Sequence, residues 1–279
     1  MKSRGKWIST ITRVAVLSCA FLFVAVPLYW MLITSLKDRK EIYGGKLTLW
    51  PSNVTFSNYI DTFRHSDFPQ FFWNSLVVTM LSSLFVLIIS VMGGYSLARF
   101  KFKGKAVALM AFLVTQMVPT MVMLIPLFIV FGKFGLINHL VSLIVLYSVI
   151  NIPFCLITLS GFFQRIPISL EEAALIDGCS RLSAVVRVVI PIMLPGIVAT
   201  FVFAFTGAWN ELFFGIMFIN GGSQATIPVG LNSFVQKFDI DWGQMSAGGI
   251  LSLVPVTVLF MFVQKYIVAG LTQGAVKGE

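Results

Sequence analysis

The most informative stretch of this chain is residues 166–191, which read Ile166-Pro-Ile-Ser-Leu-Glu-Glu-Ala-Ala-Leu-Ile-Asp-Gly-Cys-Ser-Arg-Leu-Ser-Ala-Val-Val-Arg-Val-Val-Ile-Pro191. Ser169 followed three residues later by Glu172 is a capping box, which predicts the start of a short helix. Gly178 is placed to end that helix in a left-handed conformation. Ser180 or Ser183 can then cap a second helix that runs to the end of the stretch and into the next apolar segment. The pattern therefore predicts a helix-turn-helix. It either only connects two apolar segments, as an ordinary capped loop, or docks on a partner.

Apolar segments lie on both sides of this stretch. A spanning helix needs about 20 apolar residues, because the hydrocarbon core is about 30 Å thick and each helical residue rises 1.5 Å. Six segments are long enough: Val14–Leu36, Phe71–Ala98, Ala106–Phe131, Leu140–Ser160, Ile192–Phe218 and Ala247–Ala269. In lipid, every backbone group must be hydrogen-bonded within its own segment. The sequence therefore predicts an all-α integral membrane protein with six transmembrane helices.

The composition agrees with a chain that is not dissolved mainly in water. Hydrophobic residues make up 57% of the 279 residues and charged residues 11%, against about 25% charged residues in soluble domains. The net charge of +9 does not indicate nucleic acid, because the basic residues lie mostly between the apolar segments. Cys19, Cys155 and Cys179 are scattered, so they suggest neither a disulfide framework nor a metal site.

The basic residues also predict the orientation, because cytoplasmic loops are enriched in Lys and Arg. Six spans place both termini on one side of the membrane. With that side cytoplasmic, thirteen of the twenty Lys and Arg residues lie in inner segments and seven in outer ones. The first segment is too long for a signal peptide and lacks its cleavage site, so we expect it to remain as a span. Both termini are therefore expected to be cytoplasmic.

The predicted organisation is a single six-helix transmembrane domain at residues 14–269. A cytoplasmic N-terminus, 1–13, precedes it, and a cytoplasmic tail, 270–279, follows it. Its long connections are the outer loops 37–70 and 219–246 and the inner loop 161–191. The outer loops are either solvated connections or, through their aromatic residues, part of an interface belt or a docking surface. These aromatic residues are Trp50, Tyr59, Phe63, Phe68 and Trp242.

The inner loop resembles the EAA loop of ATP-binding-cassette (ABC) importer permeases. The resemblance lies in Glu172-Ala173-Ala174, then three residues, Gly178, nine residues, and an apolar-x-apolar-Pro ending at Pro191. This ending has Val188 and Ile190 where the family usually has Ile and Leu, a conservative difference. Trp209-Asn210-Glu211 and the ending Gly270–Gly278 are similar to the MalG-like subunits of maltose-type carbohydrate importers. The resemblance covers nearly the whole chain.

The resemblance implies a permease subunit of a binding-protein-dependent importer in the bacterial inner membrane, with a carbohydrate as substrate. Its implied partners are a homodimeric ATPase that binds ATP and Mg, a second MalF-like permease, and an extracytoplasmic solute-binding protein. The tail 270–278 would reach between the ATPase subunits, and the loop 219–246 would reach the binding protein. The residues implied in coupling to the ATPase are Glu171, Glu172, Ala173, Ala174, Asp177, Gly178 and Pro191.

Polar residues inside the spans are candidates for a substrate path, because such residues usually face a bundle interior or water. Gln116, Asn151, Asn210 and Glu211 offer hydrogen bonds to hydroxyl groups, and Trp209 offers an apolar face to a sugar ring. The alternative is that the amides form interhelical hydrogen bonds that hold the bundle together. Glu211 is the only acidic residue in the six segments, so it is a functional candidate by default.

Two other classes of protein were weighed against the importer. A self-sufficient ion-coupled secondary transporter of small polar solutes would need titratable residues in its spans and often has an inverted repeat. Here Glu211 is nearly alone, and no repeat is visible. A membrane enzyme would need a cluster of catalytic groups, but the two histidines, His65 and His139, both lie near the predicted outer side. The chain has no Gly-x-x-x-x-Gly-Lys-Ser/Thr phosphate loop, so we expect no ATPase site in it.

Overall fold

The computed structural model describes the backbone of residues 2–235 and 240–275, and the side chains of residues 10–235 and 240–266. Helices dominate both ranges. The α-helices are α1 Lys2–Ser35, α2 Arg39–Tyr43, α3 Ser57–Arg64, α4 Phe68–Arg99, α5 Lys105–Met117, α6 Leu124–Lys133, α7 Leu140–Gln164, α8 Ser169–Ile176, α9 Arg181–Ala184, α10 Ile190–Trp209, α11 Phe213–Phe218, α12 Ile227–Ser233 and α13 Trp242–Ala275. Short 3-10 turns lie at Thr120–Met123 and Gly222–Gln224, and a π-helical turn lies at Val185–Val189.

Among the residues that the structure describes, five helical segments are long and apolar enough to cross a membrane. They are Thr10–Ser35, Phe68–Arg99, Leu140–Gln164, Arg181–Trp209 and Trp242–Tyr266. A bent pair of helices, Lys105–Met117 and Thr120–Lys133, makes a sixth if the pair is counted as one span. The prediction of a helical membrane protein with about six spans is confirmed at this level.

The third predicted span, Ala106–Phe131, is not one continuous helix. Its two halves, α5 and α6, are bent by 92° at the break between them. Val118 leaves the helix with φ −76° and ψ 121°, an extended conformation. This is the conformation that the residue before a proline prefers, and Pro119 has no backbone donor with which to continue the helix. The predicted third span is therefore a bent pair of helices with its break at this proline, and it makes one span if the two halves are counted together.

The fifth predicted span, Ile192–Phe218, is shifted toward the N-terminus. Its helix extends back through the π-helical turn to Arg181 and ends at Trp209. Asn210 has φ −93° and ψ 0°, and Phe213–Phe218 then forms the separate helix α11. Hydropathy alone did not separate these helices, because the break at residues 210–212 lies inside a longer apolar run.

The described chain divides into two compact units. The first comprises Met1–Pro69 and Leu231–Val254. In this unit, Asn58 Nδ2 donates to the carbonyl oxygens of Ser35 at 2.9 Å and Lys37 at 2.8 Å. Because the last carbonyls of a helix have no partner within it, the buried Asn58 supplies one to the last residue of α1. The loop after α1 is thereby fixed against α3.

The second unit comprises Gln70–Gly230 and Pro255–Glu279. Its helices α4 and α7 approach so closely that a Cβ added at Gly94 would lie 3.0 Å from the backbone nitrogen of Ser160. Small residues permit this kind of contact between membrane helices, where dispersion between backbones replaces the hydrophobic effect. Leu143 and Leu159 of α7 are fully buried. The helix α7 therefore lies in the interior of this unit.

Candidate coupling loop and polar path

The first helix of the loop at residues 166–191 begins one residue earlier than its pattern predicts. Its N-cap is Ile168, which is already close to helical at φ −63° and ψ −30°, and no side chain caps it. The amides of Glu171 and Glu172 donate to the Ile168 carbonyl at 2.9 and 3.1 Å. Ser169 therefore lies inside α8, where its hydroxyl does not cap the helix. The capping box that we predicted from Ser169 and Glu172 was wrong.

The turn between the two short helices agrees with the prediction from sequence. Gly178 has φ +87°, a left-handed conformation that favours glycine. The Cys179 amide donates to the Ala174 carbonyl at 3.0 Å, and the Gly178 amide donates to the Leu175 carbonyl at 3.1 Å. These two bonds form a Schellman motif. The Ser180 hydroxyl then accepts from the Ser183 amide at 3.3 Å and caps α9.

The two faces of α8 divide the candidate coupling residues into two groups. Glu171 and Ala174 are three residues apart, and both are buried. Glu172 and Ala173 are exposed, and so are Ile176, Asp177 and Gly178 at the end of the helix. Ile176 is 86% exposed, although it lies outside the candidate membrane spans. We call these five exposed residues, 172, 173 and 176–178, the outer face of α8.

Glu171 lies among side chains from the end of α4, and we call Glu171, Arg99 and Tyr95 the Glu171 cluster. Arg99 Nε donates to Glu171 Oε1 at 2.6 Å, and the Tyr95 hydroxyl donates to Oε2 at 2.9 Å. Arg99 Nη2 also donates to the Ile166 carbonyl at 3.0 Å. Because the paired side chains are only 7% and 11% exposed, water screens their attraction weakly. The cluster joins α8 to α4.

Aromatic contacts extend this junction to the second short helix. The Tyr95 ring packs edge to face against Phe163 at 5.6 Å and against Phe100 at 6.1 Å. The Arg181 guanidinium of α9 lies 5.6 Å from the centre of the Phe100 ring. A cation at this distance is attracted to the face of an aromatic ring. The C-terminal end of α4 therefore contacts both α8 and α9.

Sequence reasoning missed the part that α4 plays here. Arg99 was used only as a cytoplasmic charge that sets the orientation, and Tyr95 was not selected. A basic residue at the end of a span, together with two adjacent acidic residues in the loop, was the available signal. Burial of Glu171 distinguishes it from Glu172, which the pattern alone does not.

Pro191, the last candidate coupling residue, follows the π-helical turn. The Ile190 amide donates to the Val185 carbonyl, five residues earlier. Inside a regular α-helix the proline ring would clash with the carbonyl four residues before it, that of Arg187. The π-helical turn is wider because its hydrogen bonds join residues five apart instead of four. It lies directly before the proline, and the helix continues unbroken into α10. The loop is therefore joined to the fifth span without a flexible link.

The candidate polar path has its own carboxylate, and we call Glu211, Tyr147 and the amides of Phe214 and Gly215 the Glu211 cluster. The Tyr147 hydroxyl donates to Glu211 Oε2 at 2.9 Å. The Phe214 amide donates to Oε1 at 3.1 Å and the Gly215 amide to Oε2 at 3.2 Å. Negative charge is favoured at a helix N-terminus, where amides are unpaired. Glu211 therefore caps α11 and joins it to α7.

The other path candidates are Asn151, Asn210 and Gln116. Asn151 Nδ2 donates to the Tyr147 carbonyl at 2.8 Å, and Asn210 Nδ2 donates to the Thr206 carbonyl at 2.9 Å. Gln116 is exposed on α5. Both asparagine side-chain nitrogens thus donate within their own helices, and Asn151 Oδ1 lies 3.3 Å from the position that a Cβ at Gly207 of α10 would take.

Trp209 requires a correction. Its side chain is only 3% exposed, with Phe205 stacked on it at 5.7 Å and 10° and Phe72 edge-on at 6.1 Å. The prediction that its face meets a sugar ring does not fit this packing, because both neighbours cover the indole. Trp209 is a core residue that ends α10.

The aromatic residues of the predicted outer loops are also divided. Phe68 is fully buried against Phe63, so it is a core residue and not part of a surface. Trp50 and Trp242 are 67% and 48% exposed. Within the first unit, Trp242 lines a cavity of about 950 Å³ together with Lys37, whose ammonium donates to the Thr48 carbonyl at 2.6 Å.

No group of three or more metal-ligating side chains lies together within residues 10–235 and 240–266. The tail 270–279, which sequence analysis placed beside the ATPase, lies beyond the residues whose side chains the structure describes.

Comparison with known proteins identifies similar sequences and folds. The model of the family described as "Binding-protein-dependent transport system inner membrane component" matches residues 89–273. The diacetylchitobiose uptake system permease protein DasC of Streptomyces coelicolor is 35% identical over 258 residues, which cover 92% of this chain and 94% of that protein. The trehalose/maltose transport system permease protein MalG of Thermococcus litoralis is 32% identical over 258 residues, covering 91% of each chain.

Solved structures share the fold at lower sequence identity. A chain of a bacterial ABC transporter involved in the import of the acidic polysaccharide alginate superposes with a TM-score of 0.82 and 21% identity, covering 95% of this chain and 98% of that one. A chain of a bacterial alginate ABC transporter in complex with a pentasaccharide-bound periplasmic protein has a TM-score of 0.67 and 16% identity. At these identities the likeness concerns the fold alone.

Proposed function

The chain belongs to the family of binding-protein-dependent transport system inner membrane components, and from this we propose that it is a permease subunit of an ATP-driven carbohydrate importer. The carbohydrate class is supported by the names of the two relatives, which are permeases for diacetylchitobiose and for trehalose and maltose. Family membership is the observation that carries the proposal. The geometry of the loop at residues 166–191 gives it a mechanism.

We infer that the outer face of α8 docks on the ATPase subunit. This face has the small Ala173 and Gly178, the apolar Ile176 and the acidic Glu172 within two helical turns. A small protrusion with an apolar side chain can bury that side chain in a groove of a partner, where it is more stable than in water. The Schellman motif and the π-helical turn hold this protrusion at a fixed angle to α10, so that a moving partner also moves the fifth span.

The proposed orientation follows from the distribution of basic residues. We infer that both termini and the loop at residues 166–191 lie in the cytoplasm of a bacterial cell, where ATP is available. The loop 219–246 then lies outside and meets the loaded binding protein. A second, related permease completes the pore, and the ATPase subunits bind ATP and Mg.

We propose that Gln116, Asn151 and Asn210 line the substrate path. Each offers an amide group, and amides bond well to sugar hydroxyls because they both donate and accept. Glu211 has a different role in this proposal. Its three side-chain hydrogen bonds would be lost if it rotated toward a substrate, so we infer that it holds the joint between α10 and α11 in place.

Alternating access is the proposed mechanism. ATP closes the ATPase dimer, the outer face of α8 moves with it, and the spans open toward the docked binding protein. Hydrolysis returns the pore to its inward-open state. The chain contributes binding surfaces and rigid connections, and the chemical step takes place in the partner.

Copurification tests this proposal. The tagged chain is expressed with its neighbouring transport subunits, extracted from membranes, and assayed for bound ATPase and for ATP hydrolysis stimulated by candidate sugars. Ile176→Asp should lower the amount of bound ATPase by about tenfold or more, since it places a charge in an apolar contact. Asn53→Asp adds the same charge to the predicted outer loop and serves as the matched control. Transport by the chain alone, without an ATPase, would instead support the ion-coupled carrier.

A further inference from the structure

The helix α4 makes buried polar contacts at its N-terminal end as well as in the Glu171 cluster. Asn74 Nδ2 donates to the carbonyl oxygens of Ser223 at 2.7 Å and Ala225 at 2.9 Å. The Ile227 amide donates to Ser75 Oγ at 2.7 Å. We call Asn74, Ser75 and the backbone groups of residues 223, 225 and 227 the Asn74 cluster.

The Asn74 cluster is shielded from water. Asn74 and Ser75 are each 2% exposed, and so are Ala225 and Ile227. A buried donor that loses its acceptor keeps its desolvation cost without compensation. The segment at residues 223–227 is therefore held firmly to α4. This segment belongs to the loop 219–246, which we propose meets the binding protein.

Between its two clusters, α4 is one continuous α-helix. It has 32 residues, and the sequence has no proline between residues 70 and 99, whereas α7 contains Pro153 and α10 contains Pro195. The two clusters are separated by roughly 37 Å along the helix axis at 1.5 Å per residue. Sharp kinks in helices are commonly located at prolines, and α4 has none between its two clusters.

We propose that α4 links the ATPase-docking loop to the binding-protein loop, with the Glu171 cluster and the Asn74 cluster as its two attachment points. This inference rests on the proposed function. In it, Glu171 is a positioning residue that acts through Arg99 and does not itself contact the ATPase. Docking of the binding protein shifts residues 223–227, α4 follows, and α8 is displaced at the other end. Coupling between distant sites can be carried by a rigid element whose equilibrium between two arrangements both sites bias.

The test uses the assembled transporter in lipid nanodiscs and two isosteric substitutions. Glu171→Gln removes the charge that Arg99 pairs with, and Asn74→Asp removes the amide that donates to two carbonyls. The measurement is the ratio of ATP hydrolysis with and without the sugar-loaded binding protein. Each single variant should lower this ratio about tenfold, since each weakens one or two buried polar contacts. Met92→Ala, on an exposed position of α4, is the matched control and should leave the ratio unchanged.

The double variant decides whether the two clusters act along one path. If α4 links the loops, Glu171→Gln combined with Asn74→Asp should lower the ratio no further than either change alone. Either change already uncouples the two loops, so the effects of the two changes are not additive. A merely structural role would make the two losses multiply. Multiplying losses, or a normal ratio in either single variant, would overturn the proposal.

Spin labels give an independent measurement. Ser169 and Met92 are both exposed, and labels can be placed there in a variant without native cysteines. In the wild-type background, the distance between the labels should be the same in the nucleotide-free and ATP-trapped states, and it should change between states in Glu171→Gln. If the ATPase still copurifies but the distance between the labels in the wild-type background changes between the two states, the link through α4 is refuted. Loss of copurification from the unlabelled wild-type transporter would refute the proposed function instead.

Discussion

The Glu171 cluster and the Glu211 cluster each stabilise a carboxylate by hydrogen bonds, but with different partners. Both carboxylates accept a hydrogen bond from a tyrosine hydroxyl at 2.9 Å, from Tyr95 in one and Tyr147 in the other. Glu171 has an arginine as its second partner, at 2.6 Å. Glu211 has instead two backbone amides at the N-terminus of α11.

The difference corresponds to the place of each cluster along its span. Arg99 is the last residue of α4, at the end of a candidate span, where basic residues are common. Glu211 lies inside the fifth apolar segment, where a second charged side chain would add a further desolvation cost. Amide groups and a hydroxyl stabilise the carboxylate there without another ion. The comparison predicts that the two clusters respond differently to removal of a partner.

Removal of the arginine should have the largest effect. Arg99→Met leaves the buried Glu171 carboxylate without its cation, and breaking a buried pair in this way costs about 3–5 kcal/mol. We expect a lower apparent Tm of the purified transporter, measured by scanning fluorimetry in detergent. Replacing both residues, Arg99→Met with Glu171→Met, should recover most of the loss. A double variant as unstable as the single one would contradict the comparison.

Removal of the other carboxylate should cost less. Glu211→Gln keeps one acceptor oxygen and turns the other into an amide nitrogen, so one of the buried donors at this site loses its acceptor, at a cost of about 1–3 kcal/mol. No opposite charge is left behind, so the loss should be smaller than for Arg99→Met. The measurement is again the apparent Tm in detergent. Leu212→Ala at the adjacent position controls for local repacking of the joint.

The two tyrosines offer a matched pair of small changes. Tyr147→Phe and Tyr95→Phe each remove one hydroxyl donor to a carboxylate, worth about 1.5–3 kcal/mol for a charged acceptor. We expect Tyr147→Phe to be the more harmful, because Glu211 keeps only amides whereas Glu171 keeps its arginine. Parallel melting curves test the order. The reverse order would show that the arginine does not stabilise Glu171.

The smallest effect should appear at a third carboxylate, on the surface of the first unit. The hydroxyl of Thr48, 2.6 Å from Glu41 Oε1, lowers the pKa of Glu41 below its usual value, with help from Ser52 and Lys37. The stability that this provides is present above the unfolded-state pKa and is lost as pH falls through the folded pKa. Thr48→Val should raise the pKa, which isotope-edited NMR of the glutamate side chains can follow. An unchanged pKa would mean that the hydroxyl has no such influence.

Local signals in the sequence predicted the turn of the loop better than its ends. Gly178 and Ser180 were correctly predicted because a left-handed turn and a cap depend on a few adjacent residues. The capping box at Ser169 was wrong because Ile168 had already entered the helix, a difference of one residue that the pattern does not detect. Hydropathy predicted the extent of the third span but not the size of its bend, which depends on the conformation of Val118.

Contacts between distant residues could not be predicted in the same way. Arg99 and Glu171 are separated by 72 residues and Tyr147 and Glu211 by 64, so only the packing of α4, α7 and α8 brings the partners together. Trp209 shows the opposite error. Its type suggested a sugar-binding face, and its burial against Phe205 depends on the position of the residue around α10.

The number of residues in the π-helical turn at Val185–Val189 sets the direction in which α8 points. Each residue added to or removed from a helix rotates everything before it by about 100° around the axis. Deleting one residue in this turn would turn the outer face of α8 away from its present direction, with every apolar segment unaltered. A single-residue insertion or deletion here would therefore redirect the loop while leaving the spans unchanged.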